Sequence, residues 1–244
     1  MDDNKVALIT NATQYGGRPA AVALAEAGLT VVCHDRKFVD AATRQDFASA
    51  NPRLTAMSEQ EPEPLVNAVT QRFGKVDVLV SSDIFLLPKK YVEDISLSEV
   101  RATIEALLIA PLALCQAVIP QMKKRRNGRI VLITSAAGFN PIARMAVYSS
   151  VRSAANTFVV AMAKELAEFN VQIYAIAPNF FESNESFPAE KWKTDLDFRK
   201  SIEKLCPSQR LGTPAEMGAL VAFLAGGKCD FITGQVMQFT GGWR

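Results

Sequence analysis

Ser135 closes the apolar run Arg129-Ile130-Val131-Leu132-Ile133-Thr134, Tyr148 follows thirteen residues later, and Arg152 stands four residues beyond that. Residues four apart on a helix share a face, so Tyr148 and Arg152 are expected side by side. A free tyrosine titrates at about 10, and a close cation draws that down. Arginine keeps its charge permanently, which suits Tyr148 to act as a general base toward a hydroxyl, with Ser135 holding the same oxygen. A buried Ser and Tyr beside a solvated Arg is the plainer reading of the same residues. Other chemistries have less to work with. His34 is the only histidine, which excludes a multi-histidine metal site, and its place at a strand end reads as a polar residue at a strand mouth. Cys33, Cys115, Cys206 and Cys229 are scattered without metal spacing and read as free buried thiols in a reducing compartment. No metal is expected.

The elements that must carry these side chains alternate along the chain. Strand-like apolar runs cover residues 6–10, 30–34, 53–57, 76–80, 129–134 and 171–176, with a last one at about 234–240. Helical spacing covers about 18–27, 64–73, 98–124, 148–169 and 213–226, and a polar helical stretch follows residue 34. Alternation of continuous apolar strands with helices predicts an α/β fold: a Rossmann-like, doubly wound parallel sheet of about seven strands, helices on both faces, in one domain over 1–244. The rhythm breaks at about 178–207, rich in Pro, Asn, Ser, Glu and aromatics. That stretch follows a strand C-terminus, where open α/β sheets bind ligands, so it reads as a loop with short helices covering the site.

With 244 residues, 49% of them hydrophobic, and a net charge of +2, the chain can bury a full core and shows no nucleic-acid footprint. The run Lys123-Lys124-Arg125-Arg126 reads as a solvated helix C-terminus rather than a membrane-surface patch. The chain enters a strand without a charged-then-apolar leader, and no apolar stretch reaches about 18 residues without polar interruption. A cytoplasmic protein with no membrane partner is expected.

After the first strand the chain reads Thr10-Asn11-Ala12-Thr13-Gln14-Tyr15-Gly16-Gly17. Together with Ser135 and the Tyr148 motif, this makes the chain resemble the short-chain dehydrogenases along nearly its whole length. That family has Thr-Gly-x-x-x-Gly-x-Gly here; only Thr10 and Gly17 keep their places, and Asn11 and Tyr15 replace the first two glycines. Such glycines let the backbone approach a pyrophosphate, so Tyr15 is expected to occupy the nicotinamide space. A variant loop that still tolerates a cofactor stays open. Other family positions differ as well: Ser81-Ser82-Asp83-Ile84 stands for Asn-Asn-Ala-Gly, Leu107 for the helix Asn, Pro178-Asn179 for Pro-Gly, and Arg152 for the Lys that binds ribose. Asp35, after the second strand, is weak evidence for a ribose site.

The Ser-Tyr-Arg set, Tyr15, Cys33-His34-Asp35, Met57-Ser58-Glu59-Gln60-Glu61-Pro62, Asp83-Ile84-Phe85 and Pro178-Asn179-Phe180-Phe181 are similar to halohydrin dehalogenases. That resemblance implies cofactor-independent elimination of halide from vicinal halohydrins to give epoxides, reverse ring-opening by small anions, and a homotetramer with the helices near 98–125 and 148–169 as contacts. The small anion is expected on backbone N–H groups of the Pro178–Phe181 turn, with Tyr15, Asn179 and Phe181 shaping its pocket and Phe180, Phe85 and Phe187 completing the lining. Plain core packing is the other reading of Phe180 and Phe181. Asp83 is expected to orient Arg152 or carry protons. The end Gly241-Gly242-Trp243-Arg244 is not expected to supply the C-terminal extension with which some members reach a neighbouring subunit's pocket. Two rivals remain: an NAD(P)H-dependent reductase with an unusual loop, against which Tyr15 and Asn11 argue, and a non-catalytic binding protein, against which Ser135, Tyr148 and Arg152 argue.

Overall fold

A computed structural model describes residues 5–86 and 88–243. Seven parallel strands form one sheet: β1 (Val6–Ile9), β2 (Thr30–His34), β3 (Leu54–Met57), β4 (Val78–Ser81), β5 (Gly128–Ile133), β6 (Val171–Pro178) and β7 (Val236–Phe239), in the order β3-β2-β1-β4-β5-β6-β7. The chain winds outward from β1 in one direction and from β4 in the other. The crevice between those two strands is therefore the switch point, where ligands bind at strand C-termini.

The strands are buried on both sides, as parallel strands must be. Successive residues serve opposite cores. Ile9 and Ile133 face α1 (Gly17–Glu26) and α9 (Pro214–Gly226) with Leu24, Val221 and Leu224. Leu8 and Ile130 face α3 (Pro62–Phe73), α5 (Ala110–Arg125) and α6 (Ala146–Leu166) with Val69, Val118 and Val159. The remaining helices are α2 (Ala41–Ala50), α4 (Leu97–Ile104), α7 (Ala189–Thr194) and α8 (Leu196–Leu205). The last two occupy the segment read as a loop with short helices. They sit on a third, smaller core of Phe180, Ile202, Cys206 and Leu211, flanked by Phe187, Trp192, Phe198 and Trp243.

Four expectations need correction. The helix over 98–124 is interrupted: a π-helical turn, Glu105–Ile109, separates α4 from α5. Pro111 explains it, because a proline there has no N–H for the carbonyl four residues back and the ladder slips to a wider ring. Leu107 lies fully buried in that turn. The helical run Leu97–Arg125 also contains an 18-residue window of mean hydropathy 2.0, long and apolar enough by composition to cross a membrane, with about a third of that window buried within the chain. Cys229 is exposed, whereas the other three cysteines are buried. Finally, the basic run is not wholly solvated: Arg125 donates to the Val76 carbonyl (2.7 Å) and lies 3.6 Å from the Asp77 carboxylate.

Candidate active site

Ser135 leaves β5 and caps a 3-10 turn, Ala136–Gly138, its Oγ accepting from the Ala137 N–H at 3.2 Å. The hydroxyl proton is thus left to donate elsewhere. This turn lies directly on α6. A Cβ on Gly138 would stand 2.6 Å from Asn156 Nδ2, 2.8 Å from the Ser153 N and 2.9 Å from the Arg152 carbonyl carbon. Glycine alone permits that approach. Asn156 completes the join by donating to the Ser135 carbonyl at 3.3 Å. Neither Gly138 nor Asn156 was singled out from the sequence. Asn156 sits four residues past Arg152, and that spacing is the signal that could have found it.

On the same face of α6, Tyr148 is half-buried and Arg152 is only 2% exposed. The guanidinium carbon lies 5.4 Å from the centre of the Tyr148 ring, and Nη2 donates to the Asp83 carbonyl at 2.5 Å. Asp83 thus meets Arg152 through its backbone oxygen and not through its carboxylate. The carboxylate accepts from Ser81 (2.5 Å) and Asn11 (3.5 Å) instead. Burial pushes the Asp83 carboxyl upward, opposed by the Ser81 hydroxyl and then by the Arg152 charge. Arg152 Nε and Ser82 Oγ are buried without a partner among the described residues.

Asn11 and Tyr15 keep the left-handed backbone that the absent glycines would have adopted, at φ 48° and 44°. Asn11 turns this to use by donating to the Ser82 carbonyl at 2.8 Å, stitching the β1 loop to the β4 loop. Asn is the non-glycine residue that visits this region most readily, so its choice was a signal in the sequence. Gly17 is the glycine that had to stay, since a Cβ there would fall on the carbonyl oxygens of Thr10 (2.7 Å) and Asn11. Tyr15 packs edge-on against Phe181, centroids 5.6 Å apart. Burial drives its phenol well above the ordinary range. The nearby Tyr148 adds to this, Arg152 opposes it, and Glu185 adds again. Tyr15 therefore packs on the turn after β6 and lies close enough to Tyr148 and Arg152 to feel both. On its outer side it helps wall a cavity of about 690 Å³ shared with Thr13, Arg18, Glu182 and Glu185.

These residues do not fit a nicotinamide dinucleotide. Besides the Tyr15 ring, the Asp35 carboxylate that would take a ribose is 2% exposed and already accepts from the Thr13 hydroxyl (2.6 Å) and N–H (3.2 Å) and from the Lys37 N–H (3.1 Å). His34 beside it has both ring nitrogens buried and unpaired among the described residues, and burial lowers its pKa.

The turn after β6 differs in detail from its expectation. Pro178 has no N–H, and that of Asn179 is taken by the Phe239 carbonyl at 3.1 Å. Among the described residues the amides of Phe180 and Phe181 make no hydrogen bond, so only these two are left for an anion. Phe180 is held at φ 50°, a strained backbone for a bulky residue, worth about 1–2 kcal/mol. Both rings are buried, Phe181 in the main core and Phe180 in the small core with Phe187 at 5.5 Å. Asn179 borders a recess of about 90 Å³ with Ser208, Arg210 and Thr240. Phe85 is half-buried after β4.

A seven-stranded parallel sheet carrying a Ser at the end of β5 and a Tyr-x-x-x-cation pair on the helix beside it defines a class, and a family profile agrees. The profile described as Enoyl-(Acyl carrier protein) reductase matches residues 16–244, and the chain belongs to this family of short-chain dehydrogenases/reductases. Among solved structures it is similar to a halohydrin dehalogenase (HheC) bound to ethyl (2S)-oxiran-2-ylacetate: 43% identity, 98% of this chain and 97% of that one covered, TM-score 0.96. A structure described as a dehalogenation enzyme is 34% identical with TM-score 0.93, covering 99% of this chain and 98% of that one. Curated relatives include the 3-oxoacyl-[acyl-carrier-protein] reductase FabG of Vibrio cholerae, 30% identical over 98% of this chain and 97% of the relative. The 7alpha-hydroxysteroid dehydrogenase of Escherichia coli is 31% identical over 98% and 94%.

Proposed function

We propose that the protein converts vicinal halohydrins to epoxides without a redox cofactor, and opens epoxides with halide or other small anions in reverse. The observation that carries this reading is the Tyr15 ring, which packs on Phe181 within the electrostatic reach of Tyr148 and Arg152 and adds bulk to the loop that would carry a dinucleotide. The likeness to dehalogenase structures supports it. Ser135 donates to the substrate hydroxyl, and Tyr148 takes that hydroxyl's proton. The oxygen then bonds to the adjacent carbon as the carbon–halogen bond breaks, and the halide leaves with the bonding pair. The amides of Phe180 and Phe181 receive the halide as its charge grows, and Tyr148 passes its proton to water. Arg152 supports the phenolate form of Tyr148 before it takes the proton and again after it has passed the proton to water.

The reductase reading has the curated relatives in its favour and the Tyr15 ring and occupied Asp35 carboxylate against it. A cytoplasmic homotetramer without membrane or nucleic-acid partners is part of the proposal. Support comes from the apolar window of α4–α5, only about a third of which is buried within one chain, and a groove of about 850 Å³ between Leu108 and the small residues Ser150, Ser153, Ala154 and Ala161 of α6. Light scattering tests the assembly and cell fractionation the compartment. The test of the chemistry is epoxide formation from a small bromo-alcohol by the parent and by Tyr148→Phe. Loss of the phenolic oxygen should cost about 10²–10⁴-fold with an unchanged melting curve. A folded Tyr148→Phe protein with near-parental turnover would remove Tyr148 from the mechanism.

A further inference from the structure

The two residues of the anion turn belong to different cores. Phe181 packs into the main core against Tyr15 and Phe239, with centroids at 5.6 and 5.9 Å. Its neighbour Phe180 packs into the small core under α7 and α8. Between them the backbone is left-handed at Phe180, which a bulky side chain does not adopt unless its surroundings enforce it. The enforcing contacts can be named. The Phe180 carbonyl accepts from the Gly212 N–H at 2.8 Å, and the Gly212 carbonyl accepts from the Glu182 N–H at 2.9 Å. The ring is held on one side by Phe187 and on the other by the edge of Trp243, centroid 5.8 Å away at 81°. Trp243 is itself placed by the turn after β7. Its N–H reaches the Thr240 carbonyl at 3.3 Å, and the Gly241 carbonyl accepts from the Ser208 N–H at 2.9 Å.

We propose that Trp243 is a positioning residue for the anion site: by packing on Phe180 it holds the left-handed turn that leaves the Phe180 and Phe181 amides unpaired. This rests on the dehalogenase reading. Trp243 touches the chemistry only through Phe180, and its removal lets that residue relax toward an ordinary backbone, withdrawing the two donors. The hydroxyl end of the substrate, held by Ser135 and Tyr148 from β5 and α6, is untouched by the same change.

The test measures bromide binding to the resting protein by calorimetry, inhibition by a small unhalogenated alcohol, and bromide release from a bromo-alcohol. Trp243→Ala should weaken bromide binding by roughly three- to tenfold, the worth of one aromatic pair. It should leave alcohol inhibition within about twofold, and Trp243→Phe should restore most of the loss. Trp192→Phe, a change in the same small core at a residue that forms no ring pair with Phe180, should leave bromide binding unchanged. If Trp243→Ala does not melt cooperatively, Trp243→Leu supplies the same comparison with the bulk retained. A parent that turns over while its folded Trp243 variants bind bromide normally overturns this proposal alone. Equal weakening of bromide and alcohol binding, or an equal effect of Trp192→Phe, reduces Trp243 to general packing and also overturns it. A parent that neither binds nor releases bromide removes the dehalogenase reading and this proposal with it.

Discussion

Gly138→Ala tests whether the reacting groups are held by the close seating of the Ser135 turn on α6. The added methyl would stand 2.6 Å from Asn156 Nδ2, 2.8 Å from the Ser153 N and 2.9 Å from the Arg152 carbonyl carbon, while ordinary contact begins near 3.4 Å. Two of the three obstacles are backbone and cannot swing aside. Relief requires the turn and helix to part by about 0.5–0.6 Å at the two backbone contacts, and by about 0.8 Å if the Asn156 amide also holds its place. Overpacking of this kind costs about 1–3 kcal/mol, a drop in Tm of about 2–12 °C for a chain of this length. The functional cost should be larger in proportion. A displacement approaching 1 Å between Ser135 and the Tyr148–Arg152 face is worth about 30- to 100-fold in kcat. Steady-state halide release with parallel melting curves reads both. A Gly138→Ala protein that loses stability as expected but keeps kcat within about twofold would show that the spacing of turn and helix does not set the geometry of the reacting groups.

Two further predictions follow from the same contacts. Arg152→Lys keeps the charge but cannot reach both the Tyr148 ring and the Asp83 carbonyl as the guanidinium does, so the rate should fall; Arg152→Gln removes the charge as well, and its rate should fall further. Steady-state rates on one bromo-alcohol check both, and a folded Arg152→Gln protein that keeps the parent's rate would refute the pairing. For the thiols, burial pushes Cys33 and Cys115 up to about 12 and Cys206 is closed off, leaving Cys229 exposed. An aromatic disulfide reagent at pH 8 should therefore titrate one thiol rapidly in the native protein and four after denaturation; fast loss of two or more native thiols would contradict the packing.

The strands were legible because parallel strands buried on both faces must be continuous apolar runs; Thr30–His34 appears in the structure with the limits read from the sequence. Helices were legible wherever periodicity met a cap, as at Thr213, whose side chain and Glu216 close a capping box. The π-helical turn at Glu105–Ile109 was not, because Pro111 could as well have opened a new helix. In the site, spacing alone put Tyr148 and Arg152 together, since i, i+4 is a local relation. Relations across the fold were mute. Asn11 read only as a missing glycine, although it joins two loops. Gly138 carried no signal until α6 was known to lie on it. Asp83 was expected to orient Arg152 or carry protons, but a residue's type says nothing of which of its oxygens faces a partner. The contact of Trp243 with Phe180 joins residues far apart in the chain and follows from neither's neighbours.

The central claim is that Tyr15 has replaced the hydride donor and that Tyr148 acts on a halohydrin without one. The most direct measurement is bromide release from a small vicinal bromo-alcohol by the purified protein, stripped of nucleotide, with and without added NAD(P)H or NAD(P)+. The account predicts equal rates in all arms, one epoxide and one proton per bromide, and no change in nicotinamide absorbance. Release that requires nicotinamide, or nicotinamide turnover on a carbonyl or alcohol with no bromide released, would contradict it.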